Sequence, residues 1–187
     1  MTANSKEAIL AAARRTAQAH GYGGLNFRDL AAEVGIKAAS IYHHFPSKAD
    51  LGAAVARRYW EDTSATLEAL SAEAATPVVA LRRYPETFRR ALTVDNRICL
   101  ASFMTAEYDD LPDAVKKEIR TFTDINVNWL SQALGAAAIV TAEQVEPRAR
   151  AIFAAIAGAQ LMARGRNDVA LYDALIDSYR TAGLLPA

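Results

Sequence analysis

The sequence predicts an all-α protein, with a three-helix head at its N-terminus followed by a larger helical bundle. Glycine and proline are few, 9 and 6 among 187 residues, and alanine is abundant, which favours helices. No stretch keeps the alternation of apolar and polar residues that a half-buried strand requires. Residues that cap helices recur along the whole chain instead. We place two domains at residues 1–46 and 47–187.

The first helix of the predicted head opens at Asn4, which has the spacing of a capping box with Glu7. A left-handed glycine at Gly21 or Gly23 ends it. Apolar residues recur at helical spacing through the head and form its predicted core: Ile9, Ala13, Ala17, Leu30, Val34, Ile36, Ile41 and Phe45.

Two shorter helices complete the head. Asn26 can cap the second helix, and Gly35 closes it. The third helix runs from Lys37 to Phe45 and must end before Pro46, because the residue before a proline avoids the helical conformation.

Six further helices are predicted in the body from capping residues, prolines in first turns and closing glycines. Ser47 has the spacing of a capping box with Asp50 and opens the first of them, which runs to about Ala75. The approximate ranges of the other five are Thr76 to Thr93, Cys99 to Tyr108, Leu111 to Gly135, Thr141 or Glu143 to Gly165, and Asp168 to Ala182.

The segment from Asn26 to Asp50 has the pattern of a helix-turn-helix, which places one helix in the DNA major groove. The third helix presents a polar and aromatic face that suits phosphates and base edges better than a core: Lys37, Ser40, Tyr42, His43 and His44. This pattern predicts a double-stranded DNA partner. The alternative is that Tyr42 and His44 partly pack the head and that Lys48 is a solvated lysine.

Charge and composition limit the class of protein. Residues 1–48 hold six basic side chains against three acidic ones, while the whole chain is neutral, so the head suits phosphates. A single cysteine excludes an internal disulfide, and no apolar run approaches the ~20 residues of a membrane span. The N-terminus lacks the pattern of a secretion signal. We expect a cytoplasmic protein with no membrane partner.

A family resemblance rests on the segment GIKAASIYHHFPSKADL, which begins at Gly35. It resembles the signature of the TetR family of bacterial repressors, roughly G-V-S-x-G-[ST]-[LI]-Y-x-H-F-x-x-K-x-x-L, and the upstream FRDLAAEVG resembles the family's preceding helix. The residues that match the signature are Gly35, Ser40, Ile41, Tyr42, His44, Phe45, Lys48 and Leu51. Lys37 and Ala39 depart from it, which leaves the operator sequence open.

The resemblance implies a role for each matching position. Tyr42 and Lys48 would bind phosphates, and Arg28 a phosphate or a base. The residues nearest the bases would be Lys37, Ala38, Ser40 and His43. The function implied is a dimeric repressor that a small-molecule inducer releases from its operator. A helical interaction module that binds no DNA is the alternative.

TetR-like proteins generally hold their inducer in a cavity of the helical body. A polar side chain on an apolar helix face of the body is therefore a candidate ligand contact. Asn126 interrupts the apolar stripe of the helix after Pro112, and a buried amide must find a partner. That partner is either a ligand or, in an ordinary core, a neighbouring helix. The aromatic residues that would line a ligand cavity are Phe88, Phe103, Tyr108, Phe122, Trp129 and Phe153.

Cys99 is the only thiol of the chain. The segment CLASFMTAE, which it begins, resembles one in some TetR-type sensors of electrophiles, where the cysteine is the modified group. Arg97 could favour a thiolate. A small buried apolar side chain is the alternative.

The last two helices are predicted to form the dimer interface. Small residues allow close approach, and larger apolar residues supply burial: Ala151, Ala154, Ala155, Ala157, Gly158 and Ala159, with Ile152, Ile156, Leu161, Met162, Leu171, Leu175, Ile176 and Tyr179. In the family such a pair meets its twin as a four-helix bundle. A twofold dimer would place its recognition helices ~34 Å apart, or somewhat more. The alternative is that these helices only cover the core of one chain.

The sequence carries no pattern of an enzyme. His43 and His44 are adjacent, about 100° apart on a helix, and no carboxylate lies beside them at metal-ligand spacing. Cys99 has no motif that assigns it a base, and there is no glycine-rich phosphate loop. We therefore expect no catalytic residue, no metal and no other cofactor.

Overall fold

The computed structural model describes the backbone of residues 2–187 and the side chains from Ser5 onward. Over these residues the chain forms nine α-helices, two short 3-10 turns and no strand, which confirms the all-α prediction. The helices are α1 (Thr2–His20), α2 (Phe27–Val34), α3 (Ala38–His44), α4 (Lys48–Glu73), α5 (Pro77–Thr93), α6 (Leu100–Ala106), α7 (Asp113–Ala137), α8 (Val145–Arg166) and α9 (Val169–Thr181). The 3-10 turns span Tyr108–Asp110 and Ala142–Gln144. The side chain of Asn4 lies outside the described residues, so its capping box stays a prediction.

Several helix ends lie where the capping residues predict them. The Asn26 side-chain oxygen accepts the backbone N–H of Arg28 at 2.8 Å and so caps α2. Gly35 ends α2 with a φ of 74°, a left-handed conformation that suits glycine. Thr76 and Asp168 cap α5 and α9 through their side-chain oxygens. Short-range spacing is therefore enough to set these boundaries.

Other boundaries differ from the prediction. Cys99 precedes α6, a helix of only seven residues, and does not lie within it. Asp95 and Asn96, with φ values of 53° and 52°, keep the chain out of a right-handed helix just before this point. Helices α7 and α8 run past Gly135 and Gly165 to Ala137 and Arg166, and the left-handed residues that follow them are Ala138 and Asn167, each with a φ of 51°.

The described chain divides into two compact units, and the first consists of the residues up to Asp62 together with Leu100–Phe122. Within it α1 packs against α2, α3 and α6. Val34 and Ile36 are half-buried. The other predicted core residues of the head are buried, as predicted: Ile9, Ala13, Ala17, Leu30, Ile41 and Phe45.

A buried carboxylate joins α7 to α4 in the first unit. Glu118 accepts hydrogen bonds from the Arg57 guanidinium at 2.6 Å and from the Trp60 indole N–H at 2.8 Å. Burial alone would raise the pKa of Glu118, but the hydrogen bonds and the charge of Arg57 bring this pKa below its ordinary value. The acid is therefore held in its charged form.

The second unit consists of Thr63–Cys99 and Thr123–Ala187. Helices α5, α8 and α9 pack against one another in it. Tyr172 is buried, and its hydroxyl donates to the carbonyl of Pro85 in α5 at 2.7 Å. No helix in the described part of the chain is long and apolar enough to cross a membrane. The functional division into residues 1–46 and 47–187 stays a prediction.

Candidate functional site

Helix α3 exposes the face that the sequence predicts for DNA. Ile41 is buried and anchors the helix on the head. On its other sides Lys37, Tyr42 and His43 are exposed, with 57% of Tyr42 accessible to solvent. Half-buried positions flank this face: Ala38, Ser40 and His44. The exposed side chains combine a cation, a phenol and an imidazole, which can donate to phosphates and base edges.

The ring of Tyr42 is held by an aromatic contact. It packs against Phe27 at the start of α2, with 4.7 Å between the ring centroids and an angle of 59° between the planes. Phe27 is itself buried. This contact fixes the direction of the Tyr42 ring and leaves most of its surface accessible.

A surface pocket of about 570 Å³ lies beside this tyrosine, between the start of α2, α3 and the start of α4. Four of the predicted DNA-binding residues line it, namely Arg28, Ala38, Tyr42 and Lys48. Lys37, Ser40 and His43 are not among its lining residues. Two cations, a phenol and the amide end of an eight-residue helix form a site that suits a phosphate oxygen.

Lys48 is anchored within this pocket. Its ammonium donates to the backbone carbonyl of Gly23 at 2.9 Å and lies 4.8 Å from the centroid of the Tyr22 ring. An ammonium has three N–H donors, so this bond leaves donors for a phosphate. The bond to Gly23 restricts the movement of the Lys48 ammonium.

In the second unit, Asn126 is fully buried, and its side-chain oxygen accepts the hydroxyl hydrogen of Tyr84 at 2.9 Å. The bond to a neighbouring helix, one of the two predicted partners, is therefore present. Trp129 stacks on Tyr84 with 5.4 Å between centroids, and its indole N–H donates to Ser71 at 2.8 Å. Phe88 packs against Tyr84 as well. Tyr84 is the centre of this cluster.

Two further predicted ligand residues adjoin this cluster through Phe88. Phe153 packs against the Phe88 ring, at 6.1 Å between centroids. Gln160 donates to the carbonyl of Phe88 at 2.6 Å and accepts the backbone N–H of Cys99 at 2.9 Å. Only 2% of Cys99 is exposed. Phe88, Cys99, Asn126, Trp129 and Phe153 are thus brought together by Tyr84 and Gln160.

The other three predicted ligand residues belong to the first unit. Phe122 is buried and packs against Tyr59, at 5.3 Å between centroids. Phe103 is half-buried. Tyr108 is 43% exposed, and the Lys116 ammonium lies 4.6 Å from its ring centroid.

Sequence reasoning missed Tyr84. Burial raises the pKa of its hydroxyl well above the usual value, so the group stays protonated and donates to Asn126. Its spacing of four from Phe88 on α5 was a signal that both rings share a buried helix face.

A second feature that the sequence did not predict is a cleft of about 770 Å³ in the second unit, between α4, α5 and α9. Arg89 and Asp173 form a two-point ion pair at its wall, with N–O distances of 2.7 and 2.9 Å. The hydrogen bond from Arg89 lowers the pKa of Asp173. The cleft has an apolar part, formed by Leu70, Pro85, Tyr172 and Ile176, and several unlike charges, but none of the eight predicted ligand residues.

The predicted interface residues of α8 and α9 differ in exposure, and five of them are half-buried: Ala155, Ala157, Leu171, Leu175 and Tyr179. Ile152, Ile156, Ala159 and Ile176 are buried within the chain. In contrast, large and small residues of α8 remain exposed: Ala151, Ala154, Gly158, Leu161 and Met162, with 62% of Leu161 accessible.

A family model and several solved structures match this chain. The family model described as "Bacterial regulatory proteins, tetR family" matches residues 9–55. Among curated proteins, none matches the chain. The fold is similar to that of a TetR transcriptional regulator from Legionella pneumophila, with a TM-score of 0.89 and 26% identity over 95% of this chain and 96% of that one.

Two other solved structures extend the likeness. A TetR-family transcriptional regulator from Agrobacterium tumefaciens has a TM-score of 0.89 and 27% identity over 95% of this chain and 96% of that one. The reduced form of NemR from E. coli has a TM-score of 0.86 with 19% identity, over 95% and 96% of the two chains, and this likeness concerns the fold alone.

Proposed function

We propose that this chain, a member of the TetR family of bacterial regulatory proteins, is a dimeric repressor that a small molecule releases from its operator. Members of this family are DNA-binding regulators of transcription and not enzymes. The observation that carries the proposal is the exposed face of α3 beside the pocket of Arg28, Tyr42 and Lys48. The alternative, a helical module that binds no DNA, does not explain the exposed polar and aromatic face of α3. We place its action in the cytoplasm, where the operator is.

The proposed contacts separate into two kinds. Arg28, Tyr42 and Lys48 bind phosphates and position the head. Lys37, Ala38, Ser40 and His43 meet the bases. Lys37 is exposed at the start of α3, where a recognition helix contacts base edges, and it can donate to a guanine.

DNA binding is tested with a duplex that the purified protein selects from a randomised pool. Lys48→Ala should weaken binding to selected and random duplexes alike. It should also reduce the slope of log affinity against log salt concentration by about 0.9, the value of one phosphate contact. Lys37→Ala should instead relax the preference at one base pair, by about 1–3 kcal/mol. Lys117→Ala, an exposed lysine of α7, removes the same charge as a control. Variants that behave like this control would contradict the assignment.

Dimerisation through α8 and α9 is supported by the exposed apolar residues of α8, because an isolated chain would leave Leu161 and Met162 in water. Leu161→Glu should convert the dimer to a monomer in sedimentation at micromolar concentration. Val94, which is also 62% exposed but lies after α5, provides the matched control Val94→Glu. A wild-type monomer at this concentration would refute the interface.

A ligand site in the body is supported by two features of the second unit. The predicted residues around Asn126 form a polar and aromatic cluster, and the cleft between α4, α5 and α9 has the volume of a small-molecule site. Compounds that release the labelled duplex from the wild type are tested on Asn126→Leu and on Ile176→Glu. Loss of response in one variant, with operator affinity retained, identifies the site. A panel in which no compound changes operator affinity contradicts ligand response for those compounds.

Modification of Cys99 is a second proposed trigger. It rests on the resemblance of its segment to electrophile sensors, whereas the 2% exposure of Cys99 requires a local opening before a reagent can reach the sulfur. N-ethylmaleimide should release the duplex from the wild type and not from Cys99→Ser. Equal release from both proteins, or from neither, would end this proposal.

A further inference from the structure

We propose that Glu107, at the end of α6, is a positioning residue for DNA binding, because it sets the place of Lys48 through the loop between α1 and α2. We call residues 21–24 the glycine loop, since it contains Gly21, Gly23 and Gly24. The inference rests on the proposed contact between Lys48 and a phosphate.

One side of the glycine loop is held by a carboxylate. The two oxygens of Glu107 accept two consecutive backbone N–H groups, that of Tyr22 at 2.6 Å and that of Gly23 at 3.1 Å. Hydrogen bonds to a charged acceptor are stronger than those between neutral groups. These two bonds fix both the position and the orientation of the backbone at this point.

The other side of the glycine loop is held by Lys48. Its ammonium donates to the Gly23 carbonyl at 2.9 Å and lies over the Tyr22 ring. Gly23 therefore donates to Glu107 and accepts from Lys48, so a displacement of this one residue changes the anchor of the ammonium. Lys48 also lines the pocket that we assign to a phosphate.

The loop is shaped to receive the carboxylate. Gly21 has a φ of 70°, and a Cβ atom there would lie 2.2 Å from a Glu107 oxygen. The carboxylate thus occupies the space that a side chain at position 21 would fill. Tyr22 in turn lies against Gly52 of α4, where a Cβ would come within 2.7 Å of the ring.

Helix α6 offers the body a route to this contact. It begins at Leu100, directly after Cys99, and Glu107 follows its last turn. A shift of about 1 Å at the end of α6 would stretch the bond to Tyr22 beyond hydrogen-bond range. A change in the body would then lower phosphate affinity without touching the recognition helix.

The experiment measures affinity for a duplex selected from a randomised pool, over a series of salt concentrations, for Glu107→Gln, Lys48→Ala and the double variant. An amide at position 107 places an NH2 where an acceptor is needed. We expect Glu107→Gln to weaken binding and to lower the salt slope by up to about 0.9, which is about eightfold in affinity for each tenfold change in salt. In the Lys48→Ala background it should have no further effect on the slope.

The control is Asp109→Asn, an exposed acid of the following 3-10 turn, which removes the same charge. By electrostatics alone, the loss of an acidic side chain strengthens binding to DNA, and this is what we expect of Asp109→Asn. The weaker binding expected of Glu107→Gln is a change in the opposite direction, so charge alone cannot produce it. Glu107→Asp keeps the charge but is one methylene too short, and it should weaken binding as well. If Glu107→Gln does not fold, Glu107→Asp is the variant that tests the inference.

Two results overturn the inference and are distinguishable. If Lys48→Ala lowers the slope and neither Glu107 variant does, Glu107 does not position the lysine and the phosphate contact stands. If Lys48→Ala itself leaves the slope unchanged, the proposed phosphate contact fails together with the inference. Additive effects of Glu107→Gln and Lys48→Ala on the slope also count against it, because they indicate independent contributions.

Discussion

Replacing Gly21 by alanine tests how closely the glycine loop fits Glu107. An alanine in the left-handed region costs about 1–2 kcal/mol. Its Cβ would also lie 2.2 Å from the carboxylate oxygen, so Glu107 must move away and lose its bonds to Tyr22 and Gly23. Each hydrogen bond to a charged group contributes about 1.5–3 kcal/mol, and we take the lower value because Glu107 is only half-buried.

Gly21→Ala should therefore lower the free energy of unfolding by about 4–5 kcal/mol. Gly35 is the matched control, because its φ is 74° and nothing lies within 4 Å of a Cβ built there. Gly35→Ala should cost only the backbone strain, about 1–2 kcal/mol. Urea unfolding followed by circular dichroism measures both values, and the difference should move the midpoint by about 1 M or more.

The reasoning fails if the two alanine variants lose the same stability. A second comparison uses the Glu107→Ala background, in which the carboxylate is absent. There Gly21→Ala should cost no more than Gly35→Ala, and a full loss of about 4–5 kcal/mol in that background would show that Glu107 is not the obstacle.

Three further outcomes are expected. Glu118→Gln should lower stability by about 1.5–3 kcal/mol in urea unfolding, because it removes the charged acceptor of the Trp60 indole, and a neutral result would contradict the role of this acid. Tyr84→Phe should cost about 1–3 kcal/mol, because it removes the hydroxyl that donates to the buried Asn126 oxygen, and Asn126→Leu added to it should recover part of the loss. The pKa values of Glu118 and Asp173 are lowered in the folded chain, so these two acids contribute fully to the free energy of unfolding above the ordinary carboxylate pKa. This contribution is lost as pH falls through the lowered pKa values. In an acid titration, the stability of the double variant Glu118→Gln with Asp173→Asn should therefore fall less steeply than that of the wild type, and an equal fall would contradict the role of the two acids.

The sequence could predict features that depend on short spacing. Asn26 caps a helix because its side chain reaches N–H groups two and three residues ahead, and the same chemistry applies at Asp168. The exposed face of α3 follows from helical periodicity once Ile41 is placed in the core. These features need no knowledge of the rest of the chain.

Features that join distant residues could not be predicted in this way. Glu107 and Tyr22 are separated by 85 positions, and nothing near Glu107 indicates its partner. The cleft between α4, α5 and α9 exists only after those helices pack. The sequence predicts a buried amide at Asn126, but its hydrogen bond to Tyr84 depends on which face of α5 lies opposite it.

The two tryptophans of the chain are distributed one to each compact unit, which gives the protein a pair of built-in optical probes. Trp60 donates its indole hydrogen to the charged Glu118, while Trp129 donates to Ser71 and stacks on Tyr84. Emission from an indole depends on its hydrogen bonding and its neighbours, so Trp60→Phe isolates a signal from the second unit and Trp129→Phe one from the first. The order in which the two signals change after mixing with a compound or a duplex would give the order of events in the molecule.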